Sequence, residues 1–181
     1  FVLLYSLFFL SCQDSQEESP STFMLACSSF GSESQQLTAR AILNSLNETN
    51  CDSAWERLRQ TKVLYLGNNE ESITNLTVLE GVTQLEELYL SDSSVTQLKP
   101  LSAMTKLRIL HLDHVPILDV TPLSKMTQLE ELWLDYSLID SIAPLSKLAS
   151  LKRLGLRGTS ITTIEGLGQL SKLEHLEISK T

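Results

Sequence analysis

Leucines recur at a fixed spacing along the C-terminal two-thirds of this chain. From residue 85 to residue 172, four consecutive units of 22 residues follow one another without insertion or deletion. Each unit opens with the pattern Leu-x-x-Leu-x-Leu, and its second half carries an apolar residue at every third position, as in Ile117, Val120, Leu123 and Met126. Self-similarity at a fixed period of this size predicts a solenoid, in which each unit covers the apolar face of the next.

The segment before the repeats lacks this pattern. Between residues 23 and 60, four apolar residues at helical spacing predict a helix, and Ser53-x-x-Glu56 resembles a capping box that opens a second short helix. The helical spacing is that of Leu37, Ala41, Ile42 and Leu46. A solenoid needs an atypical first segment because its first unit would otherwise expose core leucines. We therefore expect a helical cap over residues 23–60 and repeats over 61–181, with further repeats or another domain after the unfinished last unit.

The chain opens with a short apolar stretch. Residues 1–10 are apolar apart from Tyr5 and Ser6, too few to span a bilayer but suited to a secretory signal. The stretch ends in Ser11 and Cys12 and resembles a bacterial lipobox, so we expect residues 1–12 to be a signal peptide with a lipidated Cys12. Ordinary signal cleavage and a buried apolar strand are the alternatives. Residues 13–22 are rich in Ser and Glu and are expected to form a flexible tether.

Two cysteines remain once Cys12 is assigned to lipid. In an exported protein we expect Cys27 and Cys51 to form a disulfide that staples the cap. Closing a loop of this length stabilises a protein by about 3–4 kcal/mol in the chain-entropy model. Two buried free thiols are the alternative.

Charge restricts the classes of partner. The formal net charge of −8 argues against nucleic acid, which requires a basic face, and against polybasic attachment to anionic lipid. Membrane contact is therefore expected only through the lipid anchor.

The Leu-x-x-Leu-x-Leu strand, the Ile-x-x-Ile-x-x-Leu stretch and the Pro-Leu-Ser-Lys turn resemble the 22-residue leucine-rich repeats of the internalin class. The match covers residues 61–181, and the segment around Cys51 is similar to that of secreted bacterial relatives. The resemblance implies an α/β solenoid with a parallel sheet on the concave face, short 3₁₀ turns on the convex side and a small helical N-terminal cap. Each convex turn would be opened by a proline, where a missing N–H costs little: Pro100, Pro122 and Pro144.

This class usually has an asparagine three residues after the second strand leucine, where its amide binds loop backbone. Only Asn69 holds that place here, and the equivalent residues are Ser93, Val115, Ser137 and Thr159. Hydroxyl groups substitute in part, whereas valine cannot hydrogen-bond. We expect the turn at Val115 to be looser or to be satisfied by another group.

The residues between the strand leucines point away from the core, because side chains alternate across a strand. The middle position of successive strands is occupied by Tyr65, Tyr89, His111, Trp133, Gly155 and Glu177. Since neighbouring strands lie about 4.8 Å apart, these side chains should form one continuous ladder. Large aromatic side chains exposed in a row predict a protein-binding surface. Stabilisation of the sheet by cross-strand aromatic pairs is the alternative.

The columns on either side of the ladder carry charge. The column before it includes Glu87, Ile109, Glu131 and Arg153, and the column after it includes Asp113, Asp135 and Arg157. Carboxylates thus surround the ladder, while the arginines lie towards its C-terminal end. This arrangement favours a protein partner with a basic patch.

Neither a metal site nor a catalytic centre is predicted. His111 and Asp113 share a face with Asp135 on the next strand, but a flat sheet offers no cavity to complete a coordination shell. The sequence contains no P-loop, no nucleophile elbow and no paired carboxylates that could be assigned to a pocket. We expect no cofactor and no enzyme activity.

The sequence therefore predicts an exported or surface-anchored, non-enzymatic leucine-rich repeat module that binds a protein through its concave face. One alternative is a targeting or regulatory module of a larger enzyme that continues beyond residue 181. Another is a cytosolic regulator built from 22-residue repeats, which the apolar leader and the cysteines oppose. The oligomeric state is open, because the ladder could also meet a second copy of the chain.

Overall fold

The computed structural model describes residues 21–68 and 73–179 as a solenoid of stacked repeats. The expected signal peptide, the lipidation of Cys12, most of the tether and the predicted role of Asn69 lie outside the described residues. Six parallel strands of three residues each form a single sheet in sequence order. They are β1 Val63–Tyr65, β2 Glu87–Tyr89, β3 Ile109–His111, β4 Glu131–Trp133, β5 Arg153–Gly155 and β6 His175–Glu177.

The strands pair in the register that the repeat predicts. The central leucine of each strand faces the central leucine of the next, from Leu64 through Leu154 to Leu176. These leucines are fully buried in β1 to β5, and Leu176 in the last strand is partly exposed. One inward-facing leucine per strand, stacked at every repeat, makes a continuous core that runs the length of the solenoid.

Opposite the sheet, each repeat closes with a short 3₁₀ helix. Their bounds are Thr77–Leu79, Lys99–Ala103, Thr121–Lys125, Ala143–Lys147 and Leu167–Gln169. In three of them a proline stands in the first turn, as predicted: Pro100, Pro122 and Pro144. From Val95 to Leu148 the apolar residues at every third position are buried in the core, because side chains three apart eclipse in a 3₁₀ helix. In the last repeat the series is incomplete, since Ile164 is 64% exposed.

The small helical cap is confirmed and contains three helices: α1 Thr22–Cys27, α2 Glu33–Leu46 and α3 Cys51–Leu58. Helix α1 was not predicted from the sequence. The capping box predicted at Ser53 is wrong, because Ser53 lies inside α3. Instead, the Asn50 side chain accepts hydrogen bonds from the first turn of α3, and a capping box occurs at Ser32 and Gln35 of α2.

The cap is fastened internally and to the first repeat. The predicted disulfide between Cys27 and Cys51 joins the end of α1 to the start of α3, with the two Cα atoms 5.8 Å apart. Gln35 Nε2 donates to Thr77 Oγ1 at 2.9 Å, and Gln84 Nε2 donates to the Leu58 carbonyl at 2.6 Å. The cap therefore covers the first repeat through specific polar contacts as well as apolar packing. Within residues 21–68 and 73–179, none of the helices combines the length and the apolar character needed to cross a membrane.

The turns that follow the strands share one conformation. At the second position after the last strand leucine the backbone is left-handed, with φ between 53° and 63° at Asn68, Asp92, His114, Tyr136 and Gly158. The turn at Val115 has the same backbone conformation as the others, since φ is 56° at His114. The Val115 side chain is fully buried, so it occupies this position by packing in the apolar core. Of the three hydroxyls at this position, Thr159 Oγ1 donates to the Leu156 carbonyl at 2.8 Å. The buried hydroxyls of Ser93 and Ser137 have no hydrogen-bond partner among the described residues, so the expected substitution for asparagine holds at Thr159 and not at these two serines.

Candidate protein-binding surface

Four ring-bearing side chains follow one another across the exposed face of the sheet, and we call Tyr65, Tyr89, His111 and Trp133 the aromatic ladder. In-register pairing places each ring beside the next. The ring centroids are 4.5 Å apart for Tyr65 and Tyr89, which stack at 13°, and 4.7 Å apart for Tyr89 and His111. His111 and Trp133 follow at 6.0 Å. The rings thus form one continuous surface across four strands.

The ladder becomes more buried away from its first ring. Tyr65 is 60% exposed, since it has a ring neighbour only on the β2 side, whereas Tyr89, His111 and Trp133 are half-buried between neighbours. Half-buried aromatic rings hold their rotamers, which lowers the entropy lost when a partner binds them. The ladder is therefore pre-organised as well as partly accessible.

Gly155 controls the position of the last ring. A Cβ atom on Gly155 would lie 2.5 Å from Trp133 Cε3 and 2.7 Å from Asp135 Oδ1. The indole therefore covers the glycine and reaches towards His175 on β6, with ring centroids 6.3 Å apart. The sequence analysis placed Gly155 among the ladder positions and assigned it no role there. The signal was available, because a glycine in the middle of a strand often marks a close approach by another group.

Replacing Gly155 by alanine is expected to move the Trp133 ring without unfolding the repeat, because the clash is with a side chain. In a Trp55→Phe background, the fluorescence of Trp133 should shift, and binding of any partner of the ladder should weaken about tenfold. Gly168→Ala is a matched control, because a Cβ there meets no atom within 4 Å. An unchanged emission spectrum in Gly155→Ala would contradict this account of the Trp133 position.

The two ends of the ladder differ in charge. Towards the C-terminus, Arg153 forms an ion pair with Glu131. Arg157 lies 2.7 Å from Glu177 and 4.0 Å from Asp135. The arginines predicted to lie at this end are thus held by the carboxylates beside them. Ile109, also predicted to flank the ladder, is half-buried between Glu87 and Glu131.

Towards the N-terminus, the carboxylates contact uncharged groups. Tyr89 Oη donates to Glu87 at 2.8 Å. Burial, and after it the hydrogen bond to Glu87, raises the pKa of Tyr89 well above its usual value. Asp113 accepts from Ser91 Oγ at 3.1 Å and lies 3.8 Å from His111 Nδ1. Burial lowers the pKa of His111, which favours the neutral form of its imidazole. This half of the ladder is therefore aromatic and acidic.

A third charged column was missed by sequence reasoning. The residues just before the strands alternate in sign along the solenoid: Lys62, Glu86, Arg108, Glu130, Lys152 and Glu174. Lys62 pairs with Glu86 at 2.6 Å, and Glu130 pairs with both Arg108 and Lys152. Hydrogen bonds from Arg108 and Lys152 lower the pKa of Glu130 to about 2. The alternation at the repeat period could have revealed this column, whose charges join neighbouring repeats.

Across residues 21–68 and 73–179, no group of three or more His, Cys, Asp or Glu side chains is arranged to hold a metal ion. Asp113 Oδ1 instead accepts from the Asp135 backbone N–H at 3.3 Å, and Asp135 Oδ1 accepts from the Arg157 N–H at 2.8 Å. These two carboxylates thus bind the backbone of the following repeat.

A parallel sheet on one side, 3₁₀ turns on the other and stacked strand leucines define a leucine-rich repeat protein. No protein-family model matches the sequence, and a search of curated proteins finds no match. Among solved structures, the chain is similar to an internalin (inlF) of Listeria monocytogenes, with a TM-score of 0.75 and 22% identity over 92% of this chain and 47% of that one. It is also similar to a leucine-rich repeat protein of Leptospira interrogans, with a TM-score of 0.63 and 28% identity over 70% of this chain and 33% of that one.

The fold is thus that of a bacterial internalin-like leucine-rich repeat protein, as the repeat pattern predicted. The chain spans about half the length of the first of these proteins and a third of the second.

Proposed function

We propose that this chain is a protein-binding module that recognises a protein partner through the aromatic ladder and the charged residues beside it. The observation that carries the proposal is the unbroken contact of four rings across β1 to β4 on the exposed side of the sheet. Aromatic side chains of this kind dominate the energetics of protein interfaces.

The repeat itself does not require these rings. The same strand position is occupied by glycine in β5 and by glutamate in β6, and both strands pair in register with their neighbours. Cross-strand ring pairs contribute about 0.2–1 kcal/mol each to a sheet, so sheet stability is a modest reason to keep four of them. A binding role accounts better for a continuous row that stops after β4.

The charge pattern favours a partner whose basic side chains face β2 and β3. Glu87 and Asp113 flank Tyr89 and His111 there and contact uncharged groups. At the other end, Arg153 and Arg157 already neutralise their carboxylate neighbours. A Lys or Arg from the partner would therefore gain more from the N-terminal half of the ladder, where it also meets ring faces.

The proposed setting is outside the cytoplasm, at the cell surface or secreted. The disulfide between Cys27 and Cys51 supports an oxidising compartment, and the internalin-like fold is consistent with it. Anchoring through a lipidated Cys12 is part of the same proposal.

The test is a pull-down with the full chain beside a Tyr89→Ala, Trp133→Ala double variant. We expect the parent chain to retain a partner. The double variant should bind that partner about a hundredfold or more weakly, because two aromatic anchors are removed. Phe30→Ala is the control, because it removes an exposed aromatic side chain from the cap. The variants must first match the parent in thermal stability. Equal retention by parent and double variant would contradict the proposal.

A further inference from the structure

A second exposed apolar group lies beside the ladder, on the turns that follow β3 and β4. Its members are Leu118, 68% exposed, Leu138, 51% exposed, and Tyr136, 50% exposed. We call these three residues the turn patch. The two turns are in direct contact, because the Leu138 N–H donates to the Ile117 carbonyl at 3.0 Å. The patch therefore spans two neighbouring repeats as one surface.

The repeat architecture does not explain these leucines. At the position of Leu118 the other complete repeats have the polar residues Thr96, Asp140 and Thr162. At the position of Leu138 they have Ser94, Pro116 and Ser160. Large apolar side chains thus replace small or polar ones at two adjoining, exposed positions. Exposed apolar side chains that cluster in this way are typical of interaction sites.

Tyr136 provides a second, independent observation. Its backbone is left-handed, with φ of 59°, as at the equivalent position of the other turns, and a bulky side chain rarely adopts this conformation. The ring is held in place by stacking on His114, with centroids 4.6 Å apart and an interplanar angle of 5°. It also lies against Gly158, where a Cβ atom would approach Tyr136 Cδ1 to 2.5 Å. The surrounding repeats therefore fix an exposed tyrosine at a conformational cost.

The rim of the patch is acidic. Asp92 lies 3.6 Å from His114, and Asp119 and Asp140 are exposed next to Leu118 and Ile139. The arginine that follows on the next turn, Arg157, is held by Glu177 at 2.7 Å. Two copies of this patch would bring like charges together, which disfavours self-association.

We propose that the turn patch is a second protein-binding surface, whose occupant is a segment of another protein with an apolar side chain flanked by Lys or Arg. The apolar side chains of the turn patch would contact the apolar side chain of this segment. The carboxylates at the rim of the patch would pair with the flanking Lys or Arg. This inference does not depend on the aromatic ladder.

The experiment measures fluorescence anisotropy of a short labelled peptide of alternating Leu and Lys, with Ser–Lys and Leu–Glu peptides as controls. We expect the parent chain to bind the Leu–Lys peptide about tenfold more tightly than either control. The variant Leu118→Thr, Tyr136→Asn, Leu138→Ser should lose about tenfold in affinity. Each replacement is a residue that another repeat carries at that position, and Tyr136→Asn suits the left-handed backbone, so thermal stability should not fall.

Three outcomes would overturn the proposal. Equal binding by the triple variant would place the peptide elsewhere, and loss of binding in the Tyr89→Ala, Trp133→Ala variant alone would assign it to the ladder. A parent that sediments as a dimer, with a triple variant that sediments as a monomer, would show that a second copy covers the patch. Retained peptide binding in the ladder variant would support the turn patch even if the ladder proved to have no partner.

Discussion

Replacing Leu110 by alanine is expected to lower the free energy of unfolding by about 2–5 kcal/mol. Leu110 is fully buried at the centre of β3 and pairs in register with Leu88 and Leu132. Its removal leaves a cavity between two repeats, and each repeat of a solenoid depends on the interface with its neighbours. Urea denaturation followed by circular dichroism measures the change, provided that the unfolding slope of the variant equals that of the parent.

Leu118→Ala is the matched control, since it makes the same chemical change in a neighbouring part of the same repeat. The Leu118 side chain is 68% exposed, so its truncation should change stability by no more than about 0.5 kcal/mol. Similar losses in the two variants would mean that the strand leucines do not form the core of this solenoid.

Removal of the disulfide is expected to destabilise the protein by about 3–4 kcal/mol in the chain-entropy model. The bridge closes a loop between cysteines separated by 24 positions in the sequence. It also holds α1, a helix of six residues, which is too short to be stable alone. Because α1 and α2 pack on the first repeat, the loss should expose the N-terminal end of the core. The measurement is urea denaturation of Cys27→Ala, Cys51→Ala in a Cys12→Ser background.

Treatment with dithiothreitol provides the control for this prediction. Reduction should bring the Cys12→Ser parent to the stability of the double variant and should leave the double variant unchanged. Identical unfolding midpoints for the oxidised parent and the double variant would show that packing alone holds the cap to the repeats.

Which features could be predicted from the sequence depends on the range of the interactions that create them. The strand register could be predicted, because identical spacing in every repeat leaves one way to stack leucine on leucine. The start of α3 was placed wrongly. Ser53 fits the capping pattern, but Asn50, which precedes it in the sequence, accepts the hydrogen bonds of the first turn and caps the helix. Helix α1 was missed, since six residues give too little periodicity to recognise.

The charges around the ladder show the same limit. Glu131, Arg153 and Arg157 were predicted to point away from the core; in the structure Arg153 and Arg157 are exposed and Glu131 is half-buried. Their pairing was not foreseen, because it depends on which side-chain rotamers meet across residues separated by 22 positions. Carboxylates around the ladder and arginines towards its C-terminal end were expected. The structure adds that the carboxylates at that end are paired with arginine, whereas those near Tyr89 are not.

The sequence by itself determined the class of fold, the positions of the strands and the line of residues on the exposed face. It did so because a periodic pattern repeats the same local environment, so one repeat predicts the next. Only the tertiary structure decided that Trp133 covers Gly155 and that Tyr136 stacks on His114 in a left-handed turn. These features arise where neighbouring repeats differ, and their geometry depends on side chains that meet only after the repeats have stacked.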